Sequence, residues 1–161
     1  MARKPARGRF TPKNASKYIG GNINDITYRS SWELTMMNYF DQHPMIIGWM
    51  SESVPSNHYH KGLSGIPYQN PFTGRWTFYV PDFFVVYNGK NGKPHAEIIE
   101  VKPSTEVPGF RGRASKLQEG RQIINHAKFQ AALKYCNKYG FGFRICTEKD
   151  MFSFTPPSQK K

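Results

Sequence analysis

Three ionisable residues stand where charge is expensive. Asp82 interrupts the apolar run from Trp76 to Tyr87, and Glu100 and Lys102 interrupt the run from Ala96 to Pro103. Strands apolar on both faces belong to a sheet interior, where a carboxylate must be paired, hydrogen-bonded or bound to a metal to offset its desolvation. Two carboxylates and an amine, if brought together, suit metal-assisted phosphodiester hydrolysis: hard oxygen ligands for Mg²⁺, and an amine beside the attacking water or the scissile phosphate. The competing reading is a structural ion pair between Asp82 and Lys102.

The elements that must position these groups follow from the connection between the runs. Asn88-Gly-Lys-Asn-Gly92 carries two turn signals and predicts an antiparallel hairpin whose paired residue numbers sum to about 181 to 183. Asp82 then faces Ile99 to Val101, with Glu100 as a direct or near neighbour. Lys102 projects from the same face of its strand as Glu100, because side chains alternate with period two.

The chain has 161 residues and a net charge of +12, one domain's length and a strong indication of a polyanionic partner. Nucleic acid is the expected partner. Arg3, Lys4, Arg7, Arg9, Lys13 and Lys17 fall in the first 17 residues with no acid among them, either a solubilising tail or a phosphate-contacting arm. No apolar run reaches membrane-spanning length, and the basic start lacks the apolar segment of a signal peptide, so a soluble protein without a membrane partner is expected. Cys136 and Cys146 are expected to be reduced core thiols.

Extended or turning chain is expected from Arg9 to Asn24. Ser30-Ser-Trp-Glu33 fits a capping box opening a helix that runs to His43-Pro44, so Glu33 either caps that helix or supplies a further metal ligand. Met45 to Met50 reads as a strand and Glu52 to Gly74 as a long loop. His58 and His60 within that loop lack further metal-ligating partners and are assigned to the surface. Tyr59, Tyr68, Phe72, Trp76 and Phe78 could stack bases but are read mainly as strand and core residues. The segment Pro103 to Lys116 is basic, with Arg111, Arg113 and Lys116, and leaves directly from the proposed site. It is either a solvated loop or a grip on the nucleic-acid backbone. Leu117 to Tyr139 predicts a long helix with Ile123, Ile124, Ala127, Ala131, Leu133, Tyr135 and Cys136 on a broad apolar side, ended by Gly140. Arg121, Asn125 and Lys128 form one polar stripe facing solvent or DNA. Phe141 to Thr147 is a last strand, and the chain from Glu148 onward is read as fading into a tail.

The resulting order αβββαβ is an α+β (α/β) pattern: a mixed sheet of about four strands flanked by two helices. The divisions expected are a basic arm at 1–27, a nuclease-like domain at 28–150 and a tail at 151–161.

Pro81-Asp82 followed by Glu100-Val101-Lys102 resembles the PD-(D/E)XK nuclease superfamily, with its restriction-endonuclease-like core. Tyr28-Arg-Ser-Ser-Trp-Glu33-Leu, Pro81-Asp82-Phe, Glu100-Val-Lys102-Pro103 and Thr147-Glu148 resemble the T-even-type phage head-completion nucleases and, more distantly, the TnsA-type transposon endonucleases. The resemblance implies that Glu33, Asp82 and Glu100, with the Val101 carbonyl, ligate Mg²⁺ or Mn²⁺, and that Lys102 completes the catalytic set. It further implies a DNA endonuclease acting at or near the packaged DNA end, partnered by portal, neck and other head-completion proteins. Its place would be the head–tail neck of the virion and, during assembly, the host cytoplasm. The alternative from a different class is a non-catalytic neck or portal-vertex protein that clamps the DNA terminus.

Overall fold

The computed structural model describes residues 7–52 and 65–151. In chain order it places β1 (Gly8–Arg9), β2 (Thr27–Tyr28), α1 (Ser31–Gln42), β3 (Ile46–Ser51), β4 (Ile66–Gln69), β5 (Trp76–Tyr79), β6 (Phe83–Asn88), β7 (Pro94–Val101), α2 (Lys116–Tyr139), β8 (Gly142–Cys146) and α3 (Glu148–Met151). The central sheet runs β3-β6-β7-β8, antiparallel except for the parallel β7–β8 pair. This is the α+β, restriction-endonuclease-like architecture expected from the sequence. His58, Tyr59, His60, Arg3 and Lys4 lie outside the described residues.

Each face of the sheet carries its own core, as strand alternation requires. Phe83, Val85, Tyr87 and Ile99 face α1, where Met36, Met37 and Phe40 meet them around a buried Trp49. Phe84 and Ile98 face the other way, toward Ala132 and Cys136 of α2 and toward Ile66 and Tyr79 of the β4–β5 ribbon. Phe40 is fully enclosed by Trp49 and Phe83 rings, so truncating it to alanine would cost about 3 to 5 kcal/mol. Both cysteines are buried and form no disulfide among the described residues.

The β6–β7 hairpin has the expected register, with Phe83 opposite Ile99 and Asn88 opposite Pro94. The run from Trp76 to Tyr87 is not one strand, however. It breaks at Val80-Pro81-Asp82, and its first part leaves the central sheet to pair with β4. Pro81 has no N–H to give a ladder and restricts Val80, so a long strand is cut there. The stretch read as loop up to Gly74 therefore contains β4, whose alternation of buried Ile66 and Tyr68 with exposed Pro67 and Gln69 is hidden among breakers.

Other differences are local. The start of the chain is docked rather than free from Arg9 onward: Phe10 and Ile26 enter the core, Tyr18 packs edge-on against Trp49, and the Lys13 and Asn14 amides donate to Asp41. On α2 the buried positions are Asn125, Phe129, Ala132 and Cys136, whereas Ile123 and Leu133, assigned to the apolar side, are exposed. Ser115 and Gln118 form a reciprocal capping box at its start, and Gly140 adopts the left-handed conformation (φ 76°) at its end. Glu148 opens the short α3 instead of a tail.

Candidate active site

Pro81 ends the ribbon strand and lets Asp82 swing beside the end of β7, so that two carboxylates meet through each other's backbone. The Asp82 amide donates to Glu100 Oε2 (3.1 Å), and the Val101 amide donates to Asp82 Oδ2 (2.8 Å). Tyr79 donates its hydroxyl to the same Glu100 oxygen at 2.6 Å. Lys102 Nζ lies 3.4 Å from Glu100 Oε1. The predicted cluster is assembled, but Lys102 pairs with Glu100 rather than with Asp82.

The electrostatics are those of a crowded, poorly solvated acidic pair. Glu100 is 3% exposed. Burial, followed by the neighbouring Glu100, pushes the Asp82 carboxyl up to about 8, and Glu33 adds to the push. Burial also raises Glu100, opposed first by Lys102 and then by the Tyr79 hydroxyl. The Tyr79 phenol is raised far above its ordinary value by burial and by Glu100, so it remains a hydrogen-bond donor.

Glu33 sits on the first turn of α1, capped by Ser30. Its carboxylate accepts from the Arg29 amide (2.7 Å), one residue before the position that the expected box would use. It also lines an open cleft of about 360 Å³ with Ser30, Val101, Lys102 and Glu106. A capping position and a place in the cleft wall thus coexist. A second cleft, about 400 Å³, is lined by Lys102, Glu106, Arg121, Asn125 and Lys128. Lys102 stands between the two.

The expected nucleic-acid contacts divide. Arg7, Arg111, Arg113 and Lys116 are exposed, and Arg9 makes only a loose, exposed pair with Asp25 at 3.9 Å. Lys17 instead donates to the His43 carbonyl at the end of α1 (2.9 Å), and Lys13 lies on exposed chain. Arg121 pairs with Glu106. Asn125 is buried with its amide given to the Glu106 carbonyl, so it braces the loop rather than facing solvent. Lys128 lies over the Tyr68 and Tyr79 rings, 5.8 and 5.7 Å from their centroids, and burial and then Lys102 lower its pKa.

Two contributors escaped the sequence reading. Tyr79 looked like one more aromatic in an apolar run, and its position three residues before Asp82 was the available signal. Glu106, buried and lining both clefts, carried no signal beyond being an acid close after Lys102. Glu148 accepts from the Ser104 amide (2.9 Å) and hydroxyl, tying the segment after Lys102 to α3.

Among the described residues no three acidic, histidine or cysteine side chains already surround a common point. The donor chemistry nevertheless fits a hard divalent cation: two adjacent carboxylates, one nearly dry, whose repulsion a cation would relieve, with a third carboxylate in electrostatic reach. The second Asp82 oxygen accepts no hydrogen bond among the described residues, leaving it available to such an ion.

Comparison with known proteins matches this chain to a family. The family model described as "TnsA-like endonuclease N terminal" matches residues 43–148, a span holding Asp82, Glu100 and Lys102 but not Glu33. The head completion nuclease of Enterobacteria phage T4 is 33% identical over 150 residues, covering 88% of this chain and 90% of that protein. The chain belongs to the TnsA-like endonuclease family, in a form similar over most of its length to a phage head completion nuclease.

Proposed function

We propose that this chain is a metal-dependent DNA endonuclease of phage head completion, cutting phosphodiesters at or near the packaged DNA end. The observation that carries the reading is the mutual holding of Asp82 and Glu100 beside Lys102, at a point where two clefts meet. Asp82 and Glu100, with Glu33 and the Val101 carbonyl at the edge of the set, would hold Mg²⁺ or Mn²⁺. Such an ion, when bound, polarises the scissile phosphate and lowers the pKa of water.

The chain's own groups do the rest. Tyr79 fixes one Glu100 oxygen and leaves the other to Lys102, which lines both clefts. The Val101 amide holds one Asp82 oxygen in the same way. Lys102, partly exposed and held by Glu100, is placed to orient water and to offset charge developing on the phosphate. Arg121 and Lys128 carry positive charge along the cleft, where the DNA backbone would lie. Similarity to the T4 head completion nuclease supports the head-completion role; a place at the virion neck beside portal and neck proteins, reached by assembly in the host cytoplasm, is part of the same proposal.

The test is cleavage of duplex DNA with Mg²⁺ or Mn²⁺ by the wild type and by Asp82→Ala. Cleavage lost in the variant, with DNA binding retained, supports the reading. A wild type that binds DNA termini but never cuts them would make the protein a clamp.

A further inference from the structure

A further concavity lies beyond Lys128. On the next turns of α2 a separate groove of about 450 Å³ opens between that helix and the β4–β5 ribbon, lined by Tyr68, Trp76, Ala127, Ala131, Lys134 and Lys138 among others. Lys128 stands at the divide, lining the cleft of about 400 Å³ while lying over the ring of Tyr68, which lines the groove. Arg121 and Lys128 thus continue into Lys134 and Lys138 along one helix.

The groove's composition is unlike that of the cleft. Its walls are largely apolar and aromatic, and its exposed rim carries lysines four residues apart. Trp76 is 71% exposed although it belongs to a strand. The ribbon holding it is well fixed: Asn70 accepts from the Phe72 and Thr73 amides, its carbonyl takes the Gly74 amide, and Gly74 supplies the positive φ (68°) that closes the turn. A large aromatic is therefore held out to solvent on a rigid support.

We infer that this groove receives an unpaired strand of the DNA substrate, with a base stacked on Trp76 and backbone phosphates beside Lys134 and Lys138. The inference deepens the nuclease reading and rests on it for direction: the strand would continue from the scissile phosphate. Duplex DNA shows proteins mainly phosphates and groove edges, so an apolar aromatic wall serves it poorly. Unpaired bases expose the π-faces that such walls bind, and flanking cations match their backbone. The substrate class implied is DNA with a single-stranded segment adjoining the cut, such as a frayed or overhanging end.

The experiment measures binding of the full chain, in EDTA, to a labelled oligo-dT strand and to a blunt duplex, by anisotropy at fixed salt. Variants are Trp76→Ala, Trp76→Phe and Lys134→Ala with Lys138→Ala. Trp76→Ala should weaken oligo-dT binding about tenfold or more, Trp76→Phe should recover most of it, and blunt-duplex binding should stay within twofold. The double lysine variant should lower oligo-dT affinity and flatten its salt dependence. Unchanged oligo-dT binding by Trp76→Ala, or an equal loss on both DNAs, overturns the inference. Because nothing is cleaved in EDTA, failure of the nuclease reading would appear only in the cleavage assay.

Discussion

Strand β7 carries two buried glutamates three residues apart, and they face opposite layers. Glu97 lies on the α1 side, where Arg144 of the adjacent β8 meets it at 3.6 Å and Tyr87 lies close enough to feel its charge. Glu100 lies on the α2 side with Asp82, Tyr79 and Lys102. A guanidinium anchored in the neighbouring strand gives Glu97 a fixed countercharge. Glu100 has a second carboxylate pressed on it and a lysine that reaches in from an open cleft. The first arrangement holds the sheet together, while the second keeps charge unresolved where a substrate can arrive, which is the usual mark of a functional cluster.

The sharpest way to separate them is by activity. Glu100→Gln and Asp82→Asn should each lower metal-dependent nicking by roughly a thousandfold or more, with the fold retained by circular dichroism. Glu97→Gln should nick within a few fold of wild type under conditions where it is folded. Loss of nicking in Glu97→Gln, measured well below its melting temperature, would erase the distinction.

Stability should reverse the ranking. Removing the Glu97 charge breaks its largely buried ion pair with Arg144, at a cost of about 3 to 5 kcal/mol, so thermal denaturation should show Tm lower by roughly 10 °C. In EDTA, Asp82→Asn should instead be as stable as wild type or more so. It removes a like-charge contact while keeping an oxygen for the Val101 amide.

How far the sequence reveals this contrast depends on what each residue leaned on. The hairpin register followed from one turn and strand alternation, both local, so Asp82 and Glu100 could be set side by side. Glu97 sat in the same run and passed unremarked, because its partner Arg144 lies 47 positions away across a parallel pairing that no turn signal announces. The break at Pro81 was visible in principle, but the apolar run around it outweighed a single proline. A single strand from Trp76 to Tyr87 leaves no place for the ribbon, nor for Tyr79 in the site or the groove beside it. The early docking of Phe10 and Ile26 was masked by the basic residues around them, since charge density describes the surface of a segment and not the few side chains it buries.

The acid pair should also leave a signature in pH. With its folded pKa pushed up to about 8, Asp82 binds more protons folded than unfolded, where its pKa is about 4. Its contribution to stability is therefore full below pH 4 and is lost as pH rises toward 8. Chemical denaturation of the metal-free protein across that window should show wild type losing stability relative to Asp82→Asn. No such difference between wild type and Glu97→Gln is expected from Asp82, which both retain.

The smallest effect concerns Glu33, which the structure places both at a helix cap and at the cleft. Glu33→Gln keeps an oxygen to accept the Arg29 amide, so its Tm should move by no more than a few degrees. It should still lose nicking if its charge belongs to the site, and activity within twofold of wild type would confine it to capping.

The central claim is that Asp82 and Glu100 form a cation site and that Glu97 does not. The most direct measurement is the change in Tm on adding Mg²⁺ or Mn²⁺ to wild type, Asp82→Ala and Glu97→Gln, each compared with itself in EDTA. Metal should raise Tm in wild type and Glu97→Gln and leave Asp82→Ala unmoved. Equal shifts in all three, or none in wild type, would contradict the claim and leave Glu100 and Lys102 as a structural pair.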